Sequence, residues 1–379
     1  MQQSFLVQYL PTQSTNNTNA QSIKQHKPNQ TKQNTTTMFS SIVSKITSTA
    51  GARSLSQLAA PLSGMIGRNF LSIDELSNEE LRGLLDLSKQ YKATYGKGSA
   101  IDPLEAPKPF TGKSVAMIFQ KRSTRTRVST ETGCYLLGGH GLFLGPSDVQ
   151  LGVNESMRDT ACVLSGFNDI VLARVHGHSD IEELSEHATV PVINALSDKH
   201  HPLQTLADLM ALEDHFGEMR GKTLAWVGDG NNVLHDLMMG CAKLGINVRI
   251  ATPKGYACDA DILEKTEALA KENGTADVFC TTVASDAVKG SDVIVTDTWV
   301  SMGQEDEYAK RVAEFDGYEV NSKLMAKAND GAVFLHCLPR HKEEVTDEVF
   351  YSDASLIFPE AENRMWTVMA VMAAQLGKY

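Results

Sequence analysis

Apolar runs of strand length that alternate with helical spacing, in two successive series, predict an α/β protein of two doubly wound domains, each with a central parallel sheet flanked by helices. Three observations carry this. The chain has 379 residues, 42% of them hydrophobic and 21% charged, enough to fill about two domain cores. A first series of apolar runs at 114–119, 169–175 and 190–196 is separated by helical periodicity at 155–167 and 180–187. The alternation restarts at 222–228 and continues through 247–251, 292–296 and 332–337.

The chain opens on a segment of different character. Of residues 1–37, 23 are Asn, Gln, Ser or Thr, too polar a composition to offset the entropy of ordering the backbone. From Met38 onward, Phe39, Ile42, Val43 and Ile46 follow helical spacing, and Ser, Ala and Arg residues continue to Arg68 with no Asp or Glu. An amphipathic, Arg- and Ser-containing, acid-free leader has the composition of a mitochondrial transit peptide. A plastid address and a tail without any address are the other readings, and Met1 or Met38 can serve as the start. Residues 1–68 are therefore expected to be a disordered leader, and the mature chain to reside in the mitochondrial matrix.

Beyond the leader, Ser77-Asn78-Glu79-Glu80 is a capping box ahead of Leu81, Leu84, Leu85 and Tyr91, which predicts a helix of about four turns. A Gly/Pro-rich linker at 96–112 precedes the first apolar run. Between the two series a helix is expected over 201–215, with Pro202 in its first turn, and the domain boundary falls near 198–220. The resulting division is 69–205, 206–360 and a last apolar helix within 361–379 that packs back on the first domain.

Charge and cysteine content exclude whole classes. The formal net charge is −11, and all 46 acidic residues but only 29 of the 35 basic ones lie from Asp74 onward, so that part carries −17. No basic face is available to displace counterions from nucleic acid. No stretch reaches the ~18 consecutive apolar residues of a membrane span. Cys134, Cys162, Cys241, Cys258, Cys280 and Cys337 form no CxxC pair or Cys/His cluster, so neither a metal site nor a disulfide framework is expected.

In open α/β sheets ligands collect beyond the carboxyl ends of the strands. The first such loop holds Lys121, Arg122, Arg125 and Arg127 with Ser123, Thr124 and Thr126 at the start of a helix. Hydroxyls, backbone N–H groups and guanidinium forks converging there suit a phosphate dianion. Arg174 and Asp297 each end an apolar run, where an isolated charge is unfavourable without a partner or ligand. Gly228-Asp229-Gly230-Asn231-Asn232-Val233 follows a strand and opens a helix, which invites a dinucleotide reading. Val233 stands where the third glycine belongs, and the next strand ends Ala251-Thr252-Pro253-Lys254 without an acidic residue. A nucleotide-dependent oxidoreductase, disfavoured by this broken fingerprint, and a catalytically silent binding or regulatory protein are the competing readings.

Four motifs stand in order: Ser123-Thr124-Arg125-Thr126-Arg127, His201-Pro202-Leu203-Gln204, Asp297-Thr298-Trp299-Val300-Ser301-Met302-Gly303-Gln304 and His336-Cys337-Leu338-Pro339. With them, the chain from about Phe70 to Tyr379 resembles the aspartate/ornithine transcarbamylase family, and the second-domain motifs resemble its ornithine branch. The resemblance implies a carbamoyl-phosphate-binding domain followed by an ornithine-binding domain, and carbamoyl transfer to the δ-amine of L-ornithine, in arginine synthesis or a urea cycle. It implies no cofactor, no metal, and a homotrimer with sites at subunit interfaces.

Residue by residue, the resemblance assigns Ser123, Thr124, Arg125 and Thr126 to the phosphate, and Arg174 to phosphate and carbonyl oxygen together. His201 is a donor to that oxygen, Gln204 accepts from the carbamoyl NH₂, and Arg364 is a further carbonyl donor. Cys337 and Leu338 complete the carbamoyl-phosphate site. Gln150 stands where family members often have His, at a position that reaches a neighbouring subunit. Asn232, Asp297, Ser301 and Met302, the last through its backbone, hold ornithine, and the loop from Ser301 closes over it. Cys337 lies near the δ-amine and either selects the neutral amine or accepts its proton. The implied mechanism is direct attack on the carbonyl carbon, with Arg174, His201, Thr126 and Arg364 stabilising the oxyanion and phosphate leaving with a proton. No covalent enzyme intermediate is required.

Overall fold

The computed structural model of the chain describes residues 60–148, 155–274, 276–301 and 303–379. Most of the expected leader, together with Gln150 and Met302, lies outside the described residues. The end of that leader does not: Leu62 and Met65 are buried in the core, and Arg68 pairs bidentately with Glu80 at 2.9 and 3.0 Å. Gln375 holds this segment as well, donating from Nε2 to the Arg68 carbonyl and accepting from Gly67 N, both at 2.9 Å. Residues 60–68 therefore belong to the folded body, held by these two buried apolar side chains together with the Arg68–Glu80 pair and the bonds to Gln375.

Helix α1 (Asn78–Tyr95) starts at the expected capping box, with Ser77 Oγ accepting from Glu80 N at 3.1 Å and Glu80 Oε2 from Ser77 N at 2.8 Å. The first sheet contains β1 (Ser114–Phe119), β2 (His140–Leu144), β3 (Ile170–Arg174) and β4 (Val192–Leu196), all parallel, in the order β2-β1-β3-β4. Its crossovers are α2 (Thr124–Leu136), α3 (Met157–Phe167) and α4 (His178–His187). Helix α5 (Pro202–Phe216) leads to the second sheet, with Pro202 at its first position as expected.

That sheet contains β5 (Thr223–Val227), β6 (Asn247–Ala251), β7 (Val278–Thr281), β8 (Val293–Thr296) and β9 (Val333–His336), again all parallel, in the order β7-β6-β5-β8-β9. Between them run α6 (Asn232–Leu244), α7 (Ala260–Asn273), α8 (Ala284–Val288) and α9 (Tyr308–Glu314). The last helix, α10 (Ile357–Leu376), begins four residues earlier than Ala361, with Pro359 tolerated in its first turn. It packs on α1, α5 and α2. Gly133 on α2 permits that approach, since a Cβ there would sit 2.7 Å from Met369 Cγ.

The interior strands are buried on both faces, as continuous apolar runs require. The edge strands β2 and β7 had no comparable signal, being short and partly exposed. One apolar cluster runs from Phe70 and Leu172 beside the first sheet to Trp226 and Leu237 beside the second, through α5 and α10. Among the described residues no helix is long and apolar enough to cross a membrane.

The strand orders fix where chemistry can occur. The order in which strands are added reverses between β1 and β3 in the first sheet and between β5 and β8 in the second. At each reversal adjacent loops leave in opposite directions and open a crevice at the carboxyl ends. Those loops carry residues 120–126 and Arg174 on one side, residues 228–232 and Asp297 on the other.

Candidate active site

The two crevices share a cavity of about 500 Å³. Twelve of the fifteen residues expected at the site line it: Ser123, Thr124, Arg125, Thr126, Arg174, His201, Asn232, Asp297, Ser301, Cys337, Leu338 and Arg364. Gln150 and Met302 lie outside the described residues, and Gln204 stands behind the wall.

The phosphate-binding half is organised by the start of α2. Ser123 caps the helix, its Oγ accepting from Thr126 N at 3.3 Å and lying 3.1 Å from Thr126 Oγ1. The basic run does not converge whole. Lys121, Arg122 and Arg125 line the cavity, whereas Arg127 turns back to stack on Phe143 at 3.8 Å and to pair with Glu131 at 3.2 Å. Arg125 donates to the carbonyl of Leu338. Leu338 has φ of 61°, and is the single non-glycine residue in the left-handed region among those described, a costly conformation typical of functional loops.

Arg174, Arg364 and His201 form a buried cationic wall. Arg174 is 8% exposed and Arg364 2%. Burial, reinforced by mutual repulsion with Arg125, pulls both guanidinium pKa values down to about 10. They remain charged at neutral pH. Burial and then the three arginines hold His201 well below the usual imidazole range, so its ring is neutral. Arg174 Nε, Arg364 Nε and His201 Nδ1 are buried with no hydrogen-bond partner. Such groups are normally satisfied, and an anionic ligand with several acceptors suits them.

Gln204 makes its contacts behind the cavity wall. Its Oε1 accepts from Arg364 Nη1 at 2.7 Å, and its Nε2 donates to Asp208, at 2.8 Å, and to Glu360. The amide is engaged on both sides, so it steadies Arg364 from beneath. Burial pushes the Asp208 carboxyl up to about 7 and raises Glu360 well above the carboxylate range, because two adjacent buried acids cannot both ionise cheaply.

The opposite wall is acidic. Asp297 is buried, accepts from Asn231 Nδ2 at 3.0 Å and is pushed up by burial, with His336 opposing. Asn231 also caps α6 through Val233 N and Leu234 N, a role its sequence context did not reveal. The glycine before it has a structural reason: a Cβ on Gly230 would meet Cys258 N at 2.2 Å. Close packing against 256–258, not a pyrophosphate, accounts for Gly230, which removes the ground for the dinucleotide reading.

Cys337 follows β9, and its loop is set by a relay. Glu344 accepts from His336 Nε2 at 3.0 Å, and His336 Nδ1 accepts from Leu338 N at 2.9 Å. Burial, with Asp297 and Glu360 adding to it, raises the Cys337 thiol well above its usual range. The S–H form is thereby favoured at neutral pH. Lys121, Thr298, Tyr308 and His341 also line the cavity. Lys121 carried a sequence signal as part of the basic run and Thr298 as part of the motif that begins at Asp297; Tyr308 and His341 carried none.

Known proteins match this chain over nearly all of the described residues. A family model described as aspartate/ornithine carbamoyltransferase, carbamoyl-P binding domain, matches residues 68–214, and the Asp/Orn binding domain of the same family matches 220–375. A mitochondrial ornithine carbamoyltransferase of Aquarana catesbeiana is 50% identical over 83% of this chain and 88% of its own. That of Aspergillus niger is 46% identical over 80% and 85%. Among solved structures, the mitochondrial ornithine carbamoyltransferase of Coccidioides immitis superposes with TM-score 0.76 at 44% identity, over 82% of this chain and 98% of that one. The ornithine carbamoyltransferase of Pyrococcus furiosus gives 0.78 at 42%, over 83% and 99%.

Proposed function

The chain belongs to the aspartate/ornithine carbamoyltransferase family, and we propose how its cleft moves the carbamoyl group of carbamoyl phosphate to the δ-amine of L-ornithine, giving L-citrulline and phosphate. One observation carries the assignment of roles: three arginines and a neutral histidine, with unpartnered N–H groups, face a buried carboxylate across a single cavity. A dianion fits one wall and a cationic α-amino acid the other.

Ser123, Thr124, Arg125 and Thr126 hold the phosphate at the start of α2, where N–H groups and the helix dipole favour it. Arg174, Arg364 and His201 donate to the carbonyl oxygen, with Thr126 beside them. Their charge is preorganised in a water-poor site, which is where oxyanion stabilisation is largest. Asn232, Asp297, Ser301 and Met302 hold the α-amino acid end of ornithine. Cys337, as a thiol, contacts the δ-amine and excludes its protonated form from the reactive position. The amine proton therefore leaves with phosphate. Gln204 supports Arg364 instead of contacting the carbamoyl NH₂.

The relatives' names place them in the mitochondrion, and this chain is mitochondrial on the same basis. The acid-free leader supports delivery to the matrix. A homotrimer is also proposed: Val128, Tyr135 and Leu142 expose apolar surface on α2 and β2. Citrulline formation from carbamoyl phosphate, compared for ornithine, aspartate, acetylornithine and putrescine, tests the substrate. Product with aspartate alone overturns it, and a monomer by light scattering overturns the trimer.

A further inference from the structure

The loop that carries His201 is gripped from the other domain. Residues 197–201 join β4 to α5, and three of the residues that bond them lie on one face of α6, at 232, 235 and 236, the i, i+3, i+4 spacing of neighbours on a helix; Asp198 and Lys199 also bond His178 N and Asp261, at 2.7 and 2.9 Å. Asn232 Nδ2 donates to the Ser197 carbonyl at 2.5 Å, and His235 Nδ1 lies 2.9 Å from the Lys199 carbonyl. Asp236 makes the densest contact. Its Oδ2 accepts from His201 N at 2.7 Å, and its Oδ1 lies 3.2 Å from His200 Nδ1 and accepts from Ile73 N at 2.9 Å.

Asp236 is fully buried. A buried carboxylate is tolerated only when its lone pairs are filled with good geometry, and charge-assisted bonds of this kind are short and directional. The bond to His201 N therefore fixes a residue whose backbone, at φ −138° and ψ 61°, belongs to neither helix nor strand. No bond to the His201 ring is needed, because setting the backbone sets where the imidazole points.

We propose that Asp236 is a positioning residue for His201, and that the 232/235/236 face of α6 ties the geometry of the ornithine half of the cavity to that of the carbonyl-polarising half. The proposal rests on the role given to His201 above. Asn232 lines the cavity at the start of α6 while Asp236 stands one turn along the same helix. A substrate that draws on Asn232 thus acts on His201 through a rigid element.

A double-mutant cycle with Asp236→Asn and His201→Ala, read as citrulline turnover, tests this. A displacement of about 1 Å in a reacting group can cost 10²-fold, so D236N alone should lower kcat about tenfold or more. In the H201A background the same change should lower kcat less than twofold, because the residue through which it acts is gone. Phosphate binding, measured by calorimetry, should stay within threefold throughout. Equal losses in both backgrounds, or kcat of D236N within twofold of the parent, overturn the proposal. If D236N gives no cooperative melt, His200→Gln, which removes one of the three donors, replaces it in the cycle; a loss of about threefold that disappears in H201A is expected, and equal losses again overturn it. If the parent makes no citrulline, the reading of the site fails and this inference with it, an outcome distinct from additive losses in an active enzyme.

Discussion

Arg364 donates to Gln204 Oε1 at 2.7 Å, so the C-terminal helix and the helix that begins beside His201 meet through a guanidinium and an amide directly beneath the cavity. Gln204→Ala leaves Arg364 held by Thr126 Oγ1 at 3.3 Å and frees it to move. Hydrogen bonds to charged groups contribute about 1.5 to 3 kcal/mol, so kcat should fall roughly ten- to hundredfold at 1.4 kcal/mol per decade. Phosphate affinity should hardly change. Steady-state kinetics with calorimetric phosphate titration checks both, and an unaltered kcat would show that Arg364 needs no support.

Arg174→Leu removes a donor at the end of β3 whose Nε has no protein partner. Losing one oxyanion donor costs on the order of 10²-fold or more in turnover. Near-normal kinetics in the purified variant would remove Arg174 from the carbonyl.

Cys337 should be slow towards alkylating reagents at neutral pH, because burial and the adjacent acidic side chains favour the thiol, and the thiolate is the reactive form. Mass spectrometry after limited iodoacetamide treatment at pH 7.5 should find the exposed Cys162 modified before Cys337. The reverse order would mean that a thiolate sits in the cavity, and the proton-accepting role would return.

Asp208 gives stability a pH dependence whose sign is fixed. Its folded pKa, pushed up to about 7, exceeds the unfolded value of about 3.9. The folded state therefore binds more protons between those values, and stability falls as pH rises through that window. Asp208→Asn should flatten the decline in melting temperature between pH 5 and 8. An unchanged slope would mean that the proton shared near Gln204 is not lost in this range.

Two truncations test the start of the folded body. A chain beginning at Arg68 lacks Leu62 and Met65, whereas one beginning at Ala60 keeps both. Each buried side chain of this size is worth about 2 to 5 kcal/mol, so the shorter form should melt at clearly lower temperature. Equal melting would show that residues 60–67 contribute nothing to the core.

Local pattern determined much of this molecule: the parallel strands, the capping box at Ser77, the helix opened by Pro202 and the four motif segments are each written in a few contiguous residues, whose spacing alone sets periodicity, capping and turn chemistry. It could not settle contacts between residues far apart in the chain. Gln204 and His201 share a helical turn, yet one faces the cavity and the other turns to Arg364, 160 positions away. Arg127 belongs to the basic run but is drawn off by Phe143. Leu62 and Met65 resemble leader until the core that covers them is assembled, and Asp236 has no motif around it. Burial and partnership are properties of the packed whole: they decide which charges lose water, which protons stay bound, and which of the neighbouring polar groups is left with nothing but a substrate to bond.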